Sequence, residues 1–241
     1  MARLLLIETS TSLCSAALAE DGHIVCSRRS TEPRAHASLT AVFVKEIMDE
    51  SGWTVKNLDA VAVSAGPGSY TGLRVGSSTA KGLCFGGQVP LIAVSTLDIL
   101  ARQAIEGGLP EGCKAILPMI DARRMEVYTA VYSPEGVRQT DISPVILDEN
   151  SFADLFAAGP VVVIGDAAEK FAAQKGVGAV NEVPPEAGSR YADSFRQTCP
   201  EATAMLIPAT EKYKKKEFED IAYFEPFYLK QFIATTPKKL F

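Results

Sequence analysis

The sequence predicts an α/β protein made of two similar lobes, and three observations carry that prediction. A strand, an acid-bearing turn, a second strand and a Gly-containing hairpin occur twice along the chain. Segments with helical and strand patterning alternate after each occurrence. The stretch Gly107-Gly108-Leu109-Pro110-Glu111-Gly112 separates the two halves as a linker would.

The first unit runs from Leu4-Leu5-Leu6-Ile7 to Glu8, through a polar turn at Thr9 to Ser12, into Cys14 to Ala19, and then turns at Asp21-Gly22 into Ile24 to Ser27. The second runs from Ala115 to Ile120 and Asp121, through Ala122-Arg123-Arg124 into Met125 to Tyr132, and turns at Glu135-Gly136 into Val137 to Thr140. A helix follows the first unit from Pro33 to Ser51. It carries Leu39, Phe43 and Ile47 at four-residue spacing, and Gly52 stands where a helix stop belongs. Leu58 to Ser64 reads as a buried strand, Leu73 to Phe85 as a second helix, Pro90 to Val94 as a strand and Ser95 to Glu106 as a third helix. The second half offers a helix near Ser151 to Ala158, a strand Val161 to Ile164 and a helix Ala167 to Gln174. Residues 177–208, with Pro184-Pro185 and Pro200, read as partly irregular.

A three-strand meander followed by alternating helices and strands is a ribonuclease-H-like layer, and its duplication is an actin-like (ASKHA) architecture. The expected lobes are residues 1–106 and a degenerate 107–217, with the aromatic-rich ending 218–241 packing back on them.

With 241 residues, 47% of them hydrophobic, the chain can bury substantial cores. The apolar run Leu4-Leu5-Leu6-Ile7 is too short for a signal peptide, and no later stretch approaches the ~18 apolar residues of a spanning helix, so a cytoplasmic protein is expected. Cys14, Cys26, Cys84, Cys113 and Cys199 form no CxxC pair and read as buried thiols in a reducing compartment. A net charge of -5 repels phosphate backbones, so autonomous nucleic-acid binding would need a local basic patch. The dense candidate, Lys212 to Lys216, is flanked by Glu211, Glu217 and Glu219 and reads as a solvated face or linker.

Gly66-Pro67-Gly68-Ser69-Tyr70-Thr71-Gly72 joins a buried strand to a helix. It lacks the lysine of a phosphate-binding P-loop and the spacing of a dinucleotide fingerprint, so its chemistry alone reads as a tight turn. In the helix that follows, Gly72, Gly76 and Ala80 recur every fourth residue. Glycine inside a helix costs ~1 kcal/mol against alanine, so close packing should compensate, either within the lobe or on a partner. Glu8 and Asp121 end their strands where a cleft between lobes would lie. Glu8-Thr9-Ser10-Thr11 keeps hydroxyls, but Asp121-Ala122-Arg123-Arg124 has no glycine, and Gly165-Asp166-Ala167 only approximates an adenosine-binding turn. A working nucleotide cleft is not expected. His23 and His36 form no HxxxH or HExxH pair, and His36 reads as a helix-start or surface residue.

Taken together, several segments resemble the TsaB (YeaZ) family in order along the chain: Leu6-Ile7-Glu8-Thr9-Ser10-Thr11, Pro33-Arg34-Ala35-His36, Ala65 to Gly76, Ala93-Val94-Ser95-Thr96-Leu97, Ile120-Asp121-Ala122-Arg123, Gly165-Asp166-Ala167 and Pro226-Phe227-Tyr228-Leu229. The Ala65 to Gly76 hallmark is shared with TsaD, the catalytic relative, which carries a metal-binding HxxxH soon after it. Here Thr96 and Leu100 stand at those positions, and neither replaces an imidazole at a catalytic metal. The resemblance implies a non-catalytic subunit without cofactor or metal. Such a subunit pairs with TsaD, recruits the ATPase TsaE, meets tRNA only through the complex, and supports transfer of threonylcarbamoyl, from the adenylate made by TsaC, to N6 of the adenosine beside the anticodon. It also implies a partner face on the two helices of the first lobe, for which Leu39, Phe43, Ile47, Gly72, Val75, Gly76 and Thr79 are the candidates, and a homodimer when the chain is alone. An ATP-dependent kinase or metallopeptidase-like enzyme of the same fold is the alternative, and a tRNA-binding module using Lys212 to Lys216 is a third reading.

Overall fold

The computed structural model describes residues 2–176 and 194–229. Its first strand, Arg3–Glu8 (β1), pairs antiparallel with Cys14–Glu20 (β2), which pairs antiparallel with His23–Ser30 (β3). Asp21 and Gly22 join the last two with positive φ of 51° and 82°, the pair of left-handed residues that a two-residue hairpin turn needs. Ala60–Ser64 (β4) lies parallel to β1, and Leu91–Val94 (β5) lies parallel to β4. The resulting order is β3-β2-β1-β4-β5.

The second half repeats it. Ala115–Asp121 (β6) pairs antiparallel with Glu126–Thr129 (β7), which pairs with Ser143–Ile146 (β8), while Val161–Gly165 (β9) and Phe195–Gln197 (β10) add parallel strands on the other side. Read from β8, the order is β8-β7-β6-β9-β10, which places third, second, first, fourth and fifth strands as the first sheet does. The fold is therefore the duplicated, actin-like α/β architecture. One strand of the second meander differs from expectation. Val137 to Thr140 does not supply the third strand; Arg138 makes only an isolated bridge to Tyr132, and Ser143–Ile146 takes the place beside β7 by setting Val145 opposite Val127.

Alternation along β1 decides what covers each face of the first sheet. Leu5 and Ile7 point to His36–Ser51 (α1) and Tyr70–Gly87 (α2), packing with Phe43, Val44, Ile47, Ala80 and Cys84. Leu4 and Leu6 point the other way, onto a 3-10 turn Ala202–Met205 and the helix that continues it. Helix α1 stops where expected, at Gly52 with φ 69°. Helix Thr96–Glu106 (α3) lies between the sheets: Ile99 joins the first core, while Leu97, Leu100, Ala101 and Ala104 pack with Ile116, Ile120, Tyr132 and Ile164 of the second. Helices Ala153–Ala158 (α4) and Ala168–Gln174 (α5) cover the outer face of the second sheet, with Phe171 between Phe152 and Phe195.

Leu206–Lys215 (α6) is a helix where an irregular segment and a linker were expected. Ala209 and Met205 are buried on the first sheet, and the lysines occupy the last turn and C-cap of α6, where the helix dipole favours cations. The expected second-lobe span of 107–217 includes these residues, and on this packing we propose to count 202–215 with the first lobe. The segment after α6 follows the edge of the first sheet: Glu219 N–H donates to Leu91 O at 2.9 Å, Phe227 N–H to Ala65 O at 2.7 Å, and Phe224 enters the core. Pro184-Pro185 and everything after residue 229 lie outside the described residues.

The buried Tyr132 hydroxyl donates to Asp98 Oδ1 at 2.6 Å and ties α3 to the second sheet. Tyr132→Phe removes that donor from a carboxylate, and a loss of about 1.5–3 kcal/mol is expected in urea denaturation.

Candidate functional site: the outer face of the first two helices

The glycine-rich turn is a structural junction. Ser69 N–H donates to Ser10 O at 2.6 Å, and Ser69 Oγ caps α2 by accepting from Gly72 N–H at 3.3 Å. The turn contains a cis Gly66-Pro67 peptide, and a side chain at Gly68 would run into the backbone and Cβ of Ser10. The Ser69 N–H, which could have faced an anion, is thereby committed to the loop after β1.

The small-residue stripe of α2 faces inward. A Cβ at Gly72 would overlap the Thr9 carbonyl oxygen, and one at Gly76 would overlap the Thr9 hydroxyl, which itself donates to Gly72 O at 2.8 Å. Phe43 and Ile47 are likewise buried in the core beneath α1 and α2. Phe43, Ile47, Gly72 and Gly76, expected on a partner face, are thus corrected to the lobe's own packing. The physical reason is that α2 must lie close enough for its backbone to touch Thr9. Leu39 packs partly against this core, and Val75 and Thr79 are half-buried at the surface.

The face that α1 and α2 turn outward is formed by other residues. Ala37, Ala41 and Val42 on α1, and Arg74, Ser78, Gly82 and Phe85 on α2, are exposed, with Phe85 80% and Val42 44% accessible. Among the described residues nothing lies within 4 Å of a Cβ built at Gly82 or Gly86, so this side of the last turns of α2 is open, while Cys84 is buried and Gly87 abuts Val55. Sequence reasoning missed these positions, although helical geometry offered the signal: Leu73, Ala80 and Cys84 share the glycine side, which leaves Val75, Ser78, Gly82 and Phe85 opposite.

The two strand-end acids are held differently. Glu8 is fully buried at the end of β1, and burial raises its carboxyl from the ordinary 4.5 to about 7 against hydrogen bonds from Ser10, Ser64 and Thr9. Its Oε1 accepts from Ser10 N–H at 2.5 Å, while Oε2 has no hydrogen-bond partner among the described residues. Asp121 accepts from Arg123 N–H at 2.8 Å and from the Lys170 ammonium, which also donates to Arg124 O at 2.8 Å and Glu126 O at 2.9 Å. Asp166 accepts from Asp121 N–H at 2.8 Å, and burial pushes its carboxyl up to about 6. These groups do not suit a magnesium nucleotide: Glu8 is sealed, and Asp121 already has a lysine on it. Among the described residues no group of three or more His, Cys, Asp or Glu is placed to hold a metal ion, and no helix is long and apolar enough to cross a membrane.

The family model described as TsaD, tRNA N6-adenosine threonylcarbamoyltransferase, matches residues 30–235. The Escherichia coli tRNA threonylcarbamoyladenosine biosynthesis protein TsaB is 40% identical over 130 residues, 54% of each chain. The solved structure of YeaZ from Pseudomonas aeruginosa superposes with a TM-score of 0.72 at 28% identity, over 95% of this chain and 100% of that one. The chain belongs to this family, in its TsaB (YeaZ) branch. An uncharacterized Mycobacterium tuberculosis protein is 32% identical over 167 residues, 68% of this chain and 72% of its own length. The match spans about half the length of the E. coli TsaB protein. The hallmark that pointed to the TsaB family, Ala65 to Gly76, is the junction described above: most of it serves packing, and Val75 with Arg74 reaches the outer face.

Proposed function

We propose that this chain is a non-catalytic partner subunit in the synthesis of threonylcarbamoyladenosine on tRNA. It docks on TsaD and supports transfer of threonylcarbamoyl to N6 of the adenosine beside the anticodon. TsaE joins the pair, tRNA is met only through the assembly, and the chain alone forms a homodimer in the cytoplasm. One observation carries the reading. Thr96 and Leu100, which stand where TsaD carries metal-binding histidines, are both fully buried, and Leu100 lies in the core between α3 and the second sheet. These positions offer neither imidazole nor access to water and substrate, which supports a contribution made by contact.

The contact surface is the outward face of α1 and α2, with Leu39, Val75 and Thr79 retained from the sequence candidates and Val42 and Phe85 added. Its exposed apolar groups, set among small residues, suit a helix from another chain. Val75→Arg puts a charge on that face without touching the core. The free chain should melt within about 0.5 kcal/mol of wild type, while co-purification with TsaD is lost. Retention of the complex by this variant would contradict the placement of the face.

A further inference from the structure

Arg74 is held in a way that nothing in the fold's own packing requires. Its guanidinium carbon lies 4.1 Å from the centroid of the Tyr70 ring, one turn earlier on α2, and the far partner of Tyr70 is Tyr228, at 4.9 Å between centroids. Tyr228 is kept there by the returning segment, whose preceding residue, Phe227, donates its N–H to Ala65 O. One face of the guanidinium is thus covered by an aromatic ring, which fixes its direction and leaves its N–H edges available. Among the described residues no carboxylate pairs with Arg74.

The same side chain lines a surface hollow of about 520 Å³ between the start of α1 and α2. Ala37 and Val75 give the hollow apolar walls, and Thr71, Ser78 and Thr79 give it hydroxyls. Among the described residues no acid lines it, on a chain whose net charge is -5. A single oriented cation, a short apolar wall and neutral hydroxyls match a carboxylate on an aliphatic stem. The hollow is continuous with the outward face of Val75 and Thr79.

We propose that this hollow receives an Asp or Glu side chain of the docked partner protein, with Arg74 binding the carboxylate and Tyr70 and Tyr228 holding the guanidinium in place. The proposal rests on the partner reading above and adds the chemistry of its contact. Arg74 is pre-oriented, so little side-chain freedom is lost when the carboxylate arrives. A lysine in its place would keep the charge and lose both the planar stacking and the two-pronged donation.

Titration of the purified chain with purified TsaD, at low and high salt, tests it. Arg74→Ala should weaken binding on the order of 30-fold and flatten its salt dependence, and Arg74→Glu should weaken it by more than about 100-fold. Melting of the free variants should match wild type, because the side chain is exposed. One Asp→Arg or Glu→Arg substitution among the partner's surface carboxylates should restore binding to Arg74→Glu. Binding by both variants within about twofold of wild type, or rescue by none of the partner substitutions, would overturn the proposal while leaving the partner reading intact. Arg74-dependent competition by inorganic phosphate or ADP would also overturn it, by assigning the hollow to a phosphate. Absence of any wild-type binding would instead contradict the partner reading on which the proposal rests.

Discussion

Gly76→Leu is expected to cost at least ~3 kcal/mol of folding free energy, a large share of the ~5–15 kcal/mol that keeps a domain folded. A single Cβ at this position already overlaps the Thr9 hydroxyl and touches Val63 Cγ2 at 3.4 Å, and leucine adds three carbons beyond it. Thr9 cannot retreat freely, because its hydroxyl donates to Gly72 O and its N–H to Ser64 Oγ at 3.3 Å. Gly82, six residues along the same helix, has open space around it, so Gly82→Ala should stabilise the chain by roughly 0.5–1 kcal/mol through helix propensity. Urea midpoints of the two variants should move in opposite directions. A Gly76→Leu chain that folds normally and loses only its partner would show instead that the stripe is a surface.

The second large effect is a pH dependence. Glu8 gains a folded-state value of about 7 because burial penalises its charge, whereas the unfolded chain returns it to the ordinary 4.5. The folded protein therefore holds this proton more tightly. The associated stability is fully present below pH 4.5 and is lost as pH rises through about 7, amounting to about 3 kcal/mol. Glu8→Gln keeps an oxygen for Ser10 N–H and has no charge to bury. Denaturation at about pH 5 and about pH 8 should therefore show wild type losing about 2–3 kcal/mol relative to the glutamine variant. Parallel pH profiles would show that the carboxyl is ionised at little cost.

Local signals in the sequence were reliable where the structure depends on local chemistry. Asp21-Gly22 marked its hairpin and Gly52 its helix stop, and the unbroken apolar runs of β1, β4 and β5 matched strands covered on both faces. The repeated strand–acid–strand pattern announced the duplication that the two strand orders display. Helix α6 was hidden because it begins inside the stretch 177–208 that read as partly irregular; Pro208 stands in its first turn, where a missing N–H does no harm. β10 has only the residues Phe195–Gln197, too few for any period. In the second sheet, the glycine turn at Gly136 promised a hairpin strand, yet cross-strand packing of Val127 on Val145 chose the later segment.

What the sequence left open was the direction in which the small residues of α2 face. Small residues at four-residue spacing on α2 were visible, but whether they met a partner or their own lobe depended on Thr9, which comes 63 residues before Gly72 and carries no sequence signal for the contact. Arg74 drew no notice because a lone arginine on a helix has no pattern. Its significance comes from Tyr228, brought back from the far end of the chain.

Reconstituted transfer of threonylcarbamoyl to tRNA, assayed with this chain, with TsaD and TsaE, and with the three combined, tests the central claim that the chain acts by contact. The account predicts no modified adenosine and no bound metal with the chain alone, transfer by the combination, and loss of that transfer when Val75→Arg replaces wild type. Turnover, or stoichiometric metal, in the isolated chain would contradict it.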